Sequence, residues 1–142
     1  MITVTARDIA TACICLNVRK AARQVARRYD EAFRPLGITS GQFSILAALL
    51  RNDPATLGGL ADILGMDRTT LNRNLKPLEE MHLVATVASP DDRRVRGLVL
   101  TAKGKDLLEA ALPLWEATQQ DSTRRLAATP WPVVRSHLEA LS

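Results

Sequence analysis

Three sets of side chains in this sequence have the types and spacing for chemistry. The largest is Arg68, Thr69, Thr70, Asn72, Arg73 and Lys76, all within nine residues. Leu71, Leu75, Leu78 and Met81 recur through the same stretch at three- and four-residue steps. One helix would therefore turn the leucines inward and the polar set outward. Arginine can hold guanine O6 and N7 with two hydrogen bonds, asparagine can pair with adenine, and threonine can reach a thymine methyl or a phosphate. Lys76, farther along, suits phosphate, a contact that positions without specifying. The second set, Arg93, Arg94 and Arg96, lies in a polar stretch, and arginine is drawn to the negative potential of a narrow minor groove. The third is Cys13 and Cys15, two thiols that can be oxidised or can bind a soft metal or metalloid.

Composition limits what these groups can be part of. The 142 residues suffice for about one domain. Aromatic residues make up only 4%, so the core must be mostly Leu, Ala and Val, which favours helices. A net charge of +4 suits a polyanionic partner without requiring one. Between Asp67 and Lys103, seven basic side chains face five acidic ones, an excess of only +2. Specific binding must then come from placement and from two copies acting together. With no run of ~18 apolar residues and no secretory pattern, a reduced, cytoplasmic protein without membrane or cofactor is expected. No glycine-rich phosphate loop or Ser/His/Asp arrangement supports an enzyme. His82 and His137 fall on separate helices, and His137 sits in an apolar stripe that predicts a hydrogen-bonded core histidine.

The elements that must position these residues follow from periodicity and punctuation. Residues 8–34 read as one long helix with Ile14, Val18, Ala22, Val25, Tyr29 and Phe33 along one stripe. At ~40 Å it is too long for a small domain to cover, and a second copy of the chain is the simplest partner. Arg19, Lys20, Arg23, Arg27 and Arg28 decorate its other faces, either solvated or touching DNA. Thr39, with Gln42 three residues on, starts a helix to about Arg51 with Phe43, Leu46, Ala47 and Leu50 on one face. Thr56 caps a short helix that Gly58 and Gly59 weaken and Gly65 ends. Asp67 caps the helix of the first set, which reaches about His82 and contains Pro77, a source of kinking. Leu83–Ala88 and Arg94–Leu100 are β-rich runs joined by Ser89-Pro90-Asp91-Asp92-Arg93. Thr101 caps a helix to about Arg125, bent at Pro113, and Pro130 opens a last one. The result is a mainly α chain. A winged helix-turn-helix (36–100) with a two-stranded wing lies between N- and C-terminal dimerisation helices (1–35 and 101–142).

Two stretches resemble the MarR (multiple-antibiotic-resistance regulator) family. DRRVRGLVLTAKG, Asp92 to Gly104, is similar to that family's wing signature of Asp-x-Arg followed by Leu-Thr-x-x-Gly. Leu36-Gly37-Ile38-Thr39 with Gln42-Phe43 is similar to the entry to its second helix. The resemblance implies a homodimer that binds near-palindromic promoter sites in double-stranded DNA. Such proteins are usually repressors, released by a small molecule or by thiol oxidation. It marks Arg93 or Arg94 as the inserted residue and has Asp92 brace an arginine through an ion pair. It also implies a ligand cleft between the dimer arm and the winged helix, with Tyr29, Phe43 and Trp115 as candidate lining or as plain core.

Cys13 and Cys15, two residues apart on one helix, would point some 200° from each other, which strains an internal disulfide. An intersubunit disulfide or a metal(loid) site is geometrically easier, and two small buried apolar residues are the plain alternative. Two other function classes stay open: a dithiol oxidoreductase using Cys13 and Cys15, and a winged helix acting as a protein–protein adapter.

Overall fold

A computed structural model describes residues 1–88 and 92–142, so Ser89, Pro90 and Asp91 of the predicted turn lie outside the described residues. Thr5 and Asp8 form a reciprocal capping box at the start of α1 (Ala6–Ala12). The long first helix of the sequence reading is then broken at Cys13. That residue is extended (φ −73°, ψ 109°), and its sulfur caps α2 (Ile14–Phe33) by accepting from the Leu16 amide at 3.4 Å. Asn17 Nδ2 donates to the carbonyls of Ala10 and Cys13 at 3.0 and 2.9 Å. The Ala10 carbonyl, which a continuous helix would have paired internally, is thus satisfied by a side chain. The apolar period runs through the break, which is why periodicity alone reads one helix.

After α2 the chain turns through a short 3₁₀ segment, Arg34–Leu36, and Gly37 in the left-handed region at φ +71°. Thr39 and Gln42 form the expected capping box at α3 (Ser40–Ala48). The inward face of α3 differs from expectation: Phe43, Ile45, Leu46 and Leu49 are buried, whereas Ala47 and Leu50 are exposed. Its apolar residues favour no single side, so the pattern cannot choose a face; the packing of α2, α5 and α6 does.

Thr56 caps α4 (Leu57–Leu64), and Gly65 ends it at φ +61°. Asp67 then starts α5 (Arg68–Glu80), which continues through Pro77 and buries Leu71, Leu75 and Leu78. Strands β1 (Val84–Ala88) and β2 (Arg96–Leu100) pair antiparallel, from Val84 opposite Leu100 to Ala88 opposite Arg96. Arg94 and Val95, predicted as strand, belong to the turn. Ala55, in the α3–α4 connection, adds a bridge to Leu98 with bonds of 2.9 and 2.7 Å. Pro54 stacks so close behind Gly97 that a Cβ there would lie 2.4 Å from the proline Cβ. The wing is thereby tied to the body of the domain at its base.

Thr101 caps α6 (Ala102–Arg125), and α7 spans Trp131–Ala140. Pro130 is the cap of α7 rather than its first residue, and Pro132 stands inside the first turn. His137 is exposed, which corrects its reading as a core histidine: the α7 stripe lies on the surface, with Val133 43%, Leu138 41% and Leu141 57% exposed. Among the described residues, no helix is long and apolar enough to cross a membrane.

Candidate nucleic-acid interface

The buried leucines of α5 determine which of its polar residues face out. Thr69, Asn72, Arg73 and Lys76 are exposed on the side away from Leu71, Leu75 and Leu78. Thr70 departs from its predicted role. It is half-buried, and its amide and hydroxyl donate to the Asp67 carboxylate at 2.7 and 2.9 Å, so this hydroxyl serves the helix cap. These bonds, the amide's first, hold the Asp67 carboxyl below its ordinary value. Arg68, also exposed, lies across the first turn of α4, where a Cβ on Gly58 would come within 3.0 Å of its guanidinium. One of the two helix-weakening glycines thus makes room for a basic side chain at the helix-turn-helix junction.

At the wing, Arg93, Arg94 and Arg96 are all exposed. Asp92 does not brace an arginine side chain as expected. Its carboxylate accepts from the Arg94 amide at 2.9 Å, and its carbonyl accepts from the Val95 amide at 3.0 Å. A short acidic side chain closing onto the main chain two residues on is a turn-former's local bond. No ion pair among the described residues involves the wing. Asp92 shapes the turn, and the guanidinium groups stay outward.

Tyr29, Phe43 and Trp115 line one cleft of about 940 Å³ between α2, α3, α6 and α7. That is within the range of small-molecule pockets, about 300–1,000 Å³. Phe33 stacks on Phe43 at 4.6 Å, and Tyr29 donates to Gln119 Oε1 at 2.5 Å across the cleft wall. Arg28 Nε and Ser122 Oγ, also in the lining, are buried without a partner among the described residues. Arg28 was one of several arginines expected on outer faces, and only the approach of α6 distinguishes it.

Both cysteines are reduced: Cys13 is half-buried at the α1–α2 break and Cys15 is exposed. The helical separation inferred for the two thiols does not apply, because Cys13 is extended, and Cys15 is not buried within one chain. Among the described residues, no group of three or more metal-ligating side chains forms.

Comparison with known proteins places this architecture. The MarR family pattern matches residues 36–95. A DNA complex of the M. tuberculosis transcriptional regulator MosR is 40% identical, covers 91% of this chain and 92% of that one, and superposes with a TM-score of 0.81. The chain belongs to the MarR family. A MarR mutant from E. coli complexed with operator DNA is 25% identical with a TM-score of 0.82, covering 94% and 98% of the two chains. The transcriptional regulator MgrA of Staphylococcus aureus is 28% identical over 66% of this chain and 65% of that protein. The chain thus spans just under two thirds of that curated relative's length.

In this MarR-family chain the Leu-Thr-x-x-Gly signature acts as a joint. Thr101 caps α6 through the Gly104 amide and donates to the carbonyls of His82 and Leu83 at 2.7 and 3.1 Å. A Cβ on Gly104 would lie 2.2 Å from the Leu83 carbonyl oxygen. Lys103 Nζ donates to the Met81 carbonyl at 2.9 Å, so this charge caps the end of α5 and does not stand free as Arg73 and Lys76 do.

Proposed function

We propose that this chain is a cytoplasmic, sequence-specific transcriptional repressor that binds a near-palindromic promoter site as a homodimer. The observation that carries the reading is the two-sidedness of α5: three leucines seat it in the core, and Thr69, Asn72, Arg73 and Lys76 stand free beside an arginine-tipped wing. Helix in major groove and wing arginine in minor groove is the docking this arrangement suits. Arg68 and Lys76 would hold phosphate. The DNA-bound MosR and MarR neighbours support it.

Surface area supports the dimer. A compact monomer of 15.5 kDa exposes roughly 7,200 Å², whereas this chain exposes 10158 Å². The excess is concentrated in the arms, where Ile9, Ile14 and Leu141 are more than half exposed. A stable homodimer interface of 2,000–5,000 Å² or so would cover such an area.

Release has two candidate triggers. A small, mostly apolar molecule with one polar or anionic group would fit the Tyr29–Phe43–Trp115 cleft and partner Arg28 and Ser122. Oxidation of Cys13 and Cys15, or capture of a metal(loid) between subunits, would act where the arm breaks.

Fluorescence anisotropy of reduced protein on its own upstream DNA, against a scrambled duplex at matched salt, tests the reading. Preference for the first by about 10³-fold is expected, with Arg73→Ala losing ~1–3 kcal/mol on that site alone. Equal weak binding to both, or an Arg73→Ala protein of full affinity, would remove DNA reading by α5 and favour an adapter.

A further inference from the structure

We propose that Asp30 determines which half-site spacing this chain accepts on DNA, as a positioning residue acting through the first turn of α3. The proposal rests on the dimeric DNA-binding reading above. Asp30 lies near the end of the arm helix α2, and its carboxylate accepts from the Ser40 amide, the first of α3, at 2.7 Å. Among the described residues this is the one side-chain hydrogen bond from α2 to α3. The neighbouring amides are served locally: Thr39 Oγ1 takes the Gln42 amide at 3.2 Å, and Gln42 Oε1 takes the Thr39 amide at 2.9 Å. The Ser40 amide alone among these finds its acceptor on the arm.

The other side of the same turn meets the reading helix. A Cβ on Gly41 would stand 3.6 Å from Asn74 Oδ1, and Asn74 Nδ2 donates to the Thr70 carbonyl within α5 at 2.9 Å. Asn74 directly follows Arg73. One turn of α3 is therefore clasped between the dimer arm and the helix proposed to read bases. Phe33 also stacks on Phe43 at this joint, and α6 packs against both helices. Stacked rings can slide at little cost, but a charge-assisted hydrogen bond at a helix N-terminus has a set length and direction. With the arms paired across a two-fold axis, the angle at this joint sets the distance between the two α5 helices.

The test uses full-length protein and duplexes in which the two half-sites are moved together or apart by one and two base pairs. Each added base pair moves a half-site by about 3.4 Å and turns it by about 35°. Wild type is expected to lose about tenfold or more in affinity per step. Asp30→Ala should flatten that ladder to within roughly threefold, while Asp30→Asn, which keeps an accepting oxygen, should retain it. Ser40→Pro removes the donor at a position where proline suits the helix, its ring carbon turns the Asp30 carboxylate away, and it should match Asp30→Ala. Each ladder is a ratio within one protein, so a general loss of stability does not flatten it. Asp30→Ala and Ser40→Pro proteins with the wild-type ladder would overturn the proposal and leave the dimeric reading intact. So would an Asp30→Asn protein as flat as Asp30→Ala. A wild-type protein indifferent to spacing would overturn both.

Discussion

The middle of this chain and its ends treat apolar residues in opposite ways. Leu60, Leu71, Leu78 and Leu83 are wholly covered, while Ile14 is 63% and Leu141 57% exposed. The winged centre closes on its own core, with caps at Thr39, Thr56, Asp67 and Thr101 satisfying its helix ends. Phe33, Leu108 and Ala111 of the arms join that core, but α1, α7 and the first half of α2 bury no residue within one chain. On the function proposed above, the difference separates two jobs: the centre holds a reading surface, and the arms meet a second copy of the chain.

The sharpest way to break this contrast is to truncate each side in turn. Leu71→Ala should cost ~2–5 kcal/mol in denaturant unfolding, because it opens a cavity under the reading helix. Leu138→Glu on α7 should leave the far-ultraviolet circular dichroism intact and shift sedimentation toward single chains. A Leu138→Glu protein that stays paired would move the interface off α7. Next in size, Gly97→Ala should cost ~1–3 kcal/mol by pushing Pro54 off the wing base, read as a lowered melting midpoint. An unchanged midpoint would mean that the connection yields freely. Smaller still, Lys76→Ala should weaken all DNA sequences alike and flatten the salt slope by about one unit. A loss confined to the specific site would make Lys76 a base reader.

The smallest effect is acid sensitivity at the α5 cap. The Asp67 carboxyl is held below its unfolded value of about 3.8 by bonds to Thr70, so the unfolded chain binds the proton more readily. The cap's contribution is present above that value and fades as pH falls through the lower folded value. Comparing wild type with Asp67→Asn from pH 5 down to pH 2 should show wild type losing more of its stability. Parallel curves would mean that the cap is insensitive to charge.

The centre was more legible than the arms, for a physical reason. Thr39, Thr56, Gly65, Asp67 and Thr101 act through bonds to residues a few positions away, so their spacing announces them. The break at Cys13 left no such mark, since the apolar period continues past it and cysteine is a weak cap by type. The α3 face was hidden because a nine-residue helix with no dominant apolar side leaves the choice to its neighbours. Thr70 and Lys103 have the chemistry of DNA contacts and Asp92 that of an arginine's partner, yet Thr70 turns to the Asp67 carboxylate, Asp92 to the Arg94 amide and Lys103 to the end of α5. Arg28 owes its burial to the approach of α6, and Asp30 its bond to the Ser40 amide ten residues on, neither of which a local pattern encodes.

The most direct test of the two-part account compares a duplex holding both half-sites with one in which a single half-site is scrambled. The account predicts two chains on the full duplex and affinity lower by about 10²-fold or more on the half-scrambled one. One chain bound with equal affinity to both would contradict it, because the centre would then read DNA without help from the arms.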